Sequence, residues 1–265
     1  MDDIGVKMKQ EKPKLTQSVF EARYDLGYRY LDRCGDVMVI LEQALPKVSD
    51  NKIWMPEEMR PQGARMKCPD IDLTIEFDTY RMCVDQNPFG KECAFESISN
   101  YIWNTLVSKF EIKGATRFGR RKMYVLPADS VDGSEKLSVS KAPFSDWLTG
   151  VSPDLKPRNC EVSTTLENED RSEGVLFSIR PIFKLDAPLA IDKRLTMPPH
   201  LLPTGQREAL VEQLKRIKQR QEDPVAGLMI DIDYWWLRQD KMEIENFYKE
   251  SEKKIENFLN TFLGT

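Results

Sequence analysis

The chain has 265 residues, of which 40% are hydrophobic and 31% charged, and 39 basic against 43 acidic side chains give a net charge of −4. This length provides one large domain or two small ones with a hydrophobic core, and the recurring apolar residues exclude a wholly disordered chain. The charge excludes a protein that is basic throughout, although a local basic patch is compatible with it. The single histidine, His200, excludes HNH and HD nucleases and catalysts that use a histidine base beside a serine or cysteine.

The cellular compartment is predicted from targeting segments, membrane spans and the pattern of cysteines. No apolar signal core stands at the start of the chain, and no apolar run is long enough to span a membrane. The five cysteines form no CxxC pair, and we interpret them as reduced thiols: Cys34, Cys68, Cys83, Cys93 and Cys160. We therefore expect a cytoplasmic protein with no membrane association and no zinc site.

In the first part of the chain, hydrophobic periodicity predicts a mixture of strands and helices. Alternation of apolar and polar residues predicts strands over 19–24 and 71–78, and an extended pattern resumes over 112–127. Apolar residues three or four positions apart predict helices over 34–48 and 95–110.

The second part of the chain repeats this mixture after a polar connection. Residues 128–160 are predicted as a long connection with one short helix, and residues 161–166 and 174–179 as a hairpin around an acidic loop. A helix over 204–222, a strand over 227–234 and a final helix over 242–263 complete the chain.

Two segments of the sequence resemble each other. IDLTIEFDTYRM and GLMIDIDYWWLR are each an alternating acidic strand, and each precedes a long amphipathic helix with aromatic residues. We predict an α+β fold that is pseudo-duplicated, with antiparallel sheets each backed by a long helix, in two halves (1–127 and 161–265) joined by 128–160. One continuous sheet or two separate sheets both satisfy this pattern. The alternative is a chance similarity between common strand–helix units.

Three short motifs occur in order along the chain: VFEARY (19–24), RFGRR (117–121) and LMIDID (228–233). With these motifs the chain resembles, over nearly its whole length, a family of uncharacterised prokaryotic proteins of about this length that is sporadically distributed in bacteria and archaea. The resemblance implies an accessory protein from mobile or defence-associated gene neighbourhoods, with a binding or sensing role. It identifies no catalytic residue.

A basic run stands out within this weakly acidic chain. Residues 109–122 contain six basic side chains and one acidic one. Within the run, the candidates for contact with nucleic acid or phosphate are Arg117, Phe118, Arg120, Arg121 and Lys122. The arginines would contact phosphate and Phe118 would stack on a base. The alternative is a strand edge that its charges protect from aggregation.

Carboxylates on the predicted strands are candidates for a metal site. Asp231 and Asp233 share one face of their strand, as do Asp72, Glu76 and Asp78 on theirs, and neighbouring strands with such pairs can hold Mg²⁺. The alternative is the solvated face of an antiparallel sheet.

A second nuclease-like pattern pairs Pro69-Asp70 with Glu111-Ile112-Lys113. The predicted helix between the two parts argues against the adjacent strands that such a nuclease requires.

Trp235 and Trp236 are adjacent in the last predicted strand, so their side chains point to opposite faces. Each is a candidate anchor for a partner, and the alternative for either is the core beneath the C-terminal helix.

These features leave catalysis open and favour a non-enzymatic role. We expect an accessory, sensor or adaptor protein, of a defence-type system if the resemblance holds, that uses no cofactor. Its expected partner is a protein from the same operon, with nucleic acid as a further candidate partner and a homodimer as a candidate assembly. The alternative is a metal-dependent nuclease or phosphodiesterase that uses the strand carboxylates. A binder of small molecules, with Trp235 or Trp236 and arginines in a cleft between the halves, is a third hypothesis.

Overall fold

The computed structural model describes residues 12–25, 29–60, 63–88, 92–128, 131–141, 160–183, 226–239 and 244–264. Within these ranges the chain forms nine β-strands and four α-helices. In chain order they are β1 (Lys14–Tyr24), α1 (Arg29–Val48), β2 (Met55–Arg60), β3 (Gly63–Cys68), β4 (Leu73–Phe77), β5 (Arg81–Gln86), α2 (Phe95–Phe110), β6 (Ala115–Ala128), α3 (Val131–Lys141), β7 (Val162–Glu167), β8 (Glu173–Phe183), β9 (Ala226–Gln239) and α4 (Ile244–Leu263).

All nine strands belong to one sheet, in the order β2-β3-β4-β5-β1-β6-β9-β8-β7. Every neighbouring pair is antiparallel. The predicted antiparallel α+β architecture is therefore confirmed, and of its two variants the structure has the single continuous sheet. β1 and β6 pair near the centre and join strands from the two predicted halves.

One side of the sheet, here called the helix side, carries the buried rings of Phe20, Phe77 and Phe118 and the partly buried ring of Phe177. Strand periodicity explains this, because every second residue of a strand faces the same way. The helices contribute further rings to this core: Tyr30 of α1 lies 6.3 Å from Phe77, Trp103 of α2 lies 5.3 Å from Phe118, and Phe247 of α4 lies 5.5 Å from Phe118. α3 lies beside α4, with the Lys141 ammonium 5.4 Å from the ring of Phe262.

The element boundaries differ from the sequence predictions where local geometry intervenes. β1 begins at Lys14 and α1 at Arg29, each earlier than predicted, because β5 and β6 both pair with β1 and because Tyr30 is buried on α1. The predicted strand over 71–78 is shorter, since Asp72 adopts a left-handed conformation (φ 45°) after a 3₁₀ turn at Pro69–Ile71. The hairpin of β7 and β8, the strand β9 and the final helix α4 are confirmed.

Some of the sequence predictions are not tested by the structure. The helix predicted over 204–222 and the residue His200 lie outside the described residues. The division of the chain into two halves (1–127 and 161–265) joined by 128–160 stays a prediction. Strand β6 crosses the predicted boundary between residues 127 and 128.

Candidate functional site

The centre of the sheet opposite the helix side is built from β1, β6 and β9. Strand register places Glu21 opposite Gly119, and Gly119 opposite Trp235. Two residues further along β6, on the same face, Arg121 lies opposite Asp233. We call this side of the sheet the charged face, because its central residues are Glu21, Arg117, Arg121, Asp231 and Asp233.

Ion pairs connect the central strands of the charged face. Arg117 donates from Nη1 to Glu21 Oε1 at 2.7 Å and from Nη2 to Asp233 Oδ2 at 3.1 Å. Arg121 binds Asp231 through both its Nε and Nη2 atoms, at 2.8 and 2.5 Å. Such bidentate contacts suit the planar guanidinium group. Each of these guanidinium groups therefore has carboxylate partners within the protein.

Burial affects the protonation of Asp233 on this face. Desolvation raises the pKa of its carboxyl above the usual value, and this effect exceeds the opposing attraction of Arg117 and Arg121. In keeping with this, the side chains at the centre of this face are mostly shielded from solvent, since Arg117 is 19% and Asp233 23% exposed.

Trp235 lies on the charged face between two glycines. A Cβ atom at Gly174 of β8 would lie 2.4 Å from Cζ2 of Trp235, so the indole lies directly over this glycine. On its other side, a Cβ atom at Gly119 would lie 2.7 Å from Nη1 of Arg117, whose Cζ is 5.9 Å from the Trp235 ring. The absence of side chains at these two positions lets the indole lie over Gly174 and the guanidinium over Gly119.

Trp236 points the other way, as strand alternation predicts. Its Nε1 donates to the Tyr234 hydroxyl at 2.6 Å, and its ring meets Phe247 of α4 edge-on at 5.3 Å. Trp236 therefore packs at the border of the core, and Trp235 is the tryptophan that faces outward.

The basic run is divided between the two sides of the sheet. Arg117 and Arg121 lie on the charged face, whereas Phe118, Arg120 and Lys122 lie on the helix side. Phe118 is fully buried among aromatic rings, which in this structure leaves no face of its ring for a base. The sequence prediction treated the run as one patch, but the two-residue period of a strand gives its members opposite directions.

On the helix side, Arg120 and Lys122 form a buried ionic cluster with two glutamates. Arg120 is fully buried and is paired with Glu92 and Glu252, and it also donates to Ser18 Oγ at 2.9 Å. Lys122 Nζ lies 2.6 Å from Glu252 and 3.6 Å from Glu92. Sequence reasoning missed both glutamates. Both glutamates are far from Arg120 along the chain, so local sequence patterns do not identify them. The available signal was that basic residues at alternate positions of a central strand would be buried and would then require acidic partners.

Aromatic rings complete the surroundings of this cluster. The guanidinium of Arg120 lies 4.3 Å above the ring of Phe95 and 5.6 Å from that of Tyr248. These contacts connect β6 to both long helices of the predicted halves, α2 and α4.

The carboxylates proposed as metal ligands are engaged by cations of the protein. Asp231 binds Arg121, and Asp233 binds Arg117, so guanidinium groups occupy the positions that a cation would need. Among the residues that the structure describes, no group of three histidine, cysteine or acidic side chains has the geometry of a metal site.

The first-half carboxylates are also separated from that pair. Asp72 precedes β4 in a left-handed conformation and lies 3.9 Å from Lys67, so it does not project from the strand as predicted. Asp78 accepts hydrogen bonds from the backbone N–H groups of Tyr80 and Arg81 in the turn between β4 and β5. Asp78 thus stabilises a turn.

The second nuclease-like pattern falls on unrelated elements. Asp70 lies in the 3₁₀ turn between β3 and β4, whereas Glu111 caps the end of α2 and pairs with Arg29. Neither residue belongs to a strand, as that pattern would require.

Comparison with known protein families and with curated proteins finds no match for this chain. Within the described ranges, none of the helices combines the length and the apolar character needed to cross a membrane.

Proposed function

We propose that this protein is a non-enzymatic adaptor or sensor that binds a protein partner through its charged face, with Trp235 as the anchor. The observation that carries the proposal is the position of the Trp235 indole, which lies over Gly174 with the Arg117 guanidinium 5.9 Å from its ring. Tryptophan and arginine are the residues most often found at the energetic centres of protein interfaces. A system of the defence type, as the sequence resemblance implies, is the proposed setting.

The charges around Trp235 indicate the chemistry of the partner. Arg23, Arg81 and Arg121 retain 56%, 48% and 46% of their side-chain exposure, whereas Glu21 and Asp231 retain 15% and 9%. The guanidinium groups are thus the outer layer of the face and the carboxylates the inner layer. We propose a partner that presents acidic side chains around an apolar contact for the indole.

A protein partner fits this face better than nucleic acid does. Binding to a phosphate backbone draws on several cationic side chains along one surface, and two of the four basic candidates, Arg120 and Lys122, are buried on the opposite side of the sheet. Phe118, the proposed stacking residue, is in the core. Contact with nucleic acid remains an outcome that the experiment below distinguishes.

We further propose that the chain arose as a duplicated unit. Outward from the central pair, the strand order is β1, β5, β4, β3 in one direction and β6, β9, β8, β7 in the other. In both directions a helix follows the central strand along the chain (α1 or α3), and a long helix follows its neighbour (α2 or α4). This equivalence supports two halves that each carry a long helix.

The test of partner binding compares two aromatic substitutions in the tagged, full-length protein purified from its native cells. Trp235→Ala removes the anchor, and Tyr80→Ala removes an aromatic side chain that is 60% exposed in the β4–β5 turn, outside the proposed contact. We expect wild type and Tyr80→Ala to retain the same protein through washing, and Trp235→Ala to lose it. Thermal unfolding of the three proteins establishes that each is folded.

Two results would overturn the proposal. In the first, Trp235→Ala retains every protein that the wild type captures. In the second, the wild-type protein is recovered without any captured protein. Treatment with nuclease distinguishes the remaining alternative. If nuclease releases the captured material, the charged face contacts nucleic acid and not an acidic protein surface.

A further inference from the structure

The two edges of the sheet differ in their protection against pairing with another strand. Pro56, Glu57, Glu58 and Arg60 are four of the six residues of β2, and proline and charged side chains discourage edge-to-edge association. Strand β7, with the sequence VSTTLE, carries no proline and no charge before its last residue. The edge at β7 is therefore the one that can accept a further strand.

Apolar surface borders this unprotected edge on the helix side. Leu166 of β7 is 51% exposed, and Thr164 lies opposite Phe177 of β8. Next to them is a groove of about 360 Å³ lined by Phe177, Asn257, Phe258, Thr261 and Phe262. A strand added at this edge would thus cover an exposed leucine and extend the wall of the groove.

Among the described residues, the strand order leaves the position beside β7 without a strand. Beyond the equivalent strands β3 and β7, the first direction continues with β2, while the described residues supply no strand beyond β7. This comparison rests on the proposed duplication. It identifies the flank of β7 as the equivalent of the position that β2 occupies.

We propose that β7 pairs antiparallel with β7 of a second copy of this chain, forming a two-fold symmetric dimer with a continuous sheet. An axis perpendicular to the sheet at Thr165 keeps the helices of both copies on one side. It places Thr164 opposite Leu166 of the second copy, and Ser163 opposite Glu167 of the second copy. Cross-strand contacts of hydroxyl and apolar side chains favour such a ladder, and within Val162–Glu167 no like charges face each other.

The same operation disfavours the other edge. An axis at Glu57 or at Glu58 of β2 would place that carboxylate opposite its own copy. Pro56 also lacks the N–H group that a ladder uses. Charge and backbone chemistry therefore select β7 and not β2.

The test measures the oligomeric state of the purified full-length protein by light scattering across a wide range of concentrations. We expect wild type to approach twice the monomer mass. Thr165→Lys should remain a monomer, since the two lysines would face each other at the axis. Met59→Lys, on β2 where Met59 is 63% exposed, is the matched control and should dimerise like wild type.

A second measurement covers the case in which Thr165→Lys perturbs folding. Thr165→Cys places two thiols opposite each other at the axis, where the Cα separation of opposite residues in an antiparallel pair lies within the range of a disulfide. We expect oxidation to link Thr165→Cys into a dimer, whereas wild type and Met59→Cys remain unlinked.

Wild type that is monomeric at every concentration would overturn the inference, as would dimers in Thr165→Lys or equal cross-linking in the two cysteine variants. Oligomeric state is read on the purified protein alone. Failure of the dimer proposal is therefore distinguishable from failure of the proposed partner binding, which the capture experiment with Trp235→Ala tests.

Discussion

The indole of Trp235 lies over Gly174 of the neighbouring strand, so closely that a Cβ atom at residue 174 would be 2.4 Å from Cζ2 and 2.7 Å from Cε2. These distances are far below van der Waals contact. The glycine is thus a condition for the orientation of the outward-facing tryptophan, and with it for the proposed anchor.

Gly174→Ala is expected to displace the indole and to lower the free energy of unfolding by about 1–3 kcal/mol, the usual cost of overpacking. Urea unfolding measures the stability. Quenching of tryptophan fluorescence by acrylamide measures the exposure of the indole, which should increase. The same variant should weaken capture of the partner. An unchanged quenching constant would contradict the described orientation.

Gly35→Ala is the control for the glycine substitution. Gly35 lies within α1 on its exposed side, and a Cβ atom there would meet nothing within 4 Å. Because alanine restricts the unfolded chain and favours a helix, we expect a gain of about 0.5–1 kcal/mol. The two glycine-to-alanine changes should therefore have opposite signs.

Phe118→Ala should destabilise the protein strongly, because its ring is a centre of the aromatic core. Large-to-alanine changes at buried phenylalanines cost about 3–5 kcal/mol. Leu31→Ala, at a residue of α1 that is 66% exposed, should cost no more than about 0.5 kcal/mol. Urea unfolding of both variants measures the difference. Similar costs would show that Phe118 is accessible, as the basic-patch hypothesis required.

The pH dependence of the free energy of unfolding should include a contribution from protonation of the Glu92 carboxylate. Burial alone would raise the pKa of this carboxyl, but Arg120 and Lys122 outweigh that effect and hold the pKa below its ordinary value of 4.5. A carboxyl with a lowered folded pKa contributes stability above the ordinary pKa, and this stability is lost as pH falls through the folded pKa. Wild type should therefore lose unfolding free energy below about pH 4.5.

Glu92→Gln should lack this part of the pH dependence and should cost about 3 kcal/mol near neutral pH, since it leaves buried cations short of a partner. Glu42→Gln, at an exposed position of α1, is the control and should keep the wild-type dependence. Urea unfolding at a series of pH values measures both. A parallel pH dependence in wild type and Glu92→Gln would contradict the buried cluster.

The cysteines should differ widely in reactivity. Burial, followed by the nearby carboxylates of Glu21, Asp85 and Glu76, raises the pKa of Cys83 to about 12. Only about one molecule in 10⁴ then holds a thiolate there at about pH 8, and the thiolate is the reactive form. Cys93 is exposed and should be the first cysteine alkylated by iodoacetamide under native conditions, as followed by mass spectrometry. Equal rates at Cys83 and Cys93 would contradict the burial of Cys83.

Sequence periodicity predicted much of the fold because it depends on short-range geometry. The alternation in residues 71–78 and 227–234 identified β4 and β9, and the spacing of apolar residues identified α2 and α4. Pairing of distant strands has no such signature. The conclusion that all strands form one sheet, and that Leu73–Phe77 is shortened by the turn at Asp72, required the three-dimensional register.

The basic run shows the same division for the candidate site. Strand alternation could have separated Arg117 and Arg121 from Arg120 and Lys122 on the sequence alone, and it correctly separated Trp235 from Trp236. Local sequence does not show which face of the strand is buried in the core, because that depends on where α2 and α4 pack. The glutamates that neutralise Arg120 come from elements far apart along the chain.

What the sequence by itself determined is the inventory: a mixed α+β chain, a single histidine, a basic run beside acidic strands, and paired tryptophans. These follow from composition and from periods of two and 3.6 residues, which neighbouring residues encode. Only the tertiary structure decided how charges pair across strands, that Phe118 is in the core, and that the indole of Trp235 lies over Gly174. Such relationships join residues that are distant in the chain. They exist only once the strands have paired and the helices have buried one face of the sheet.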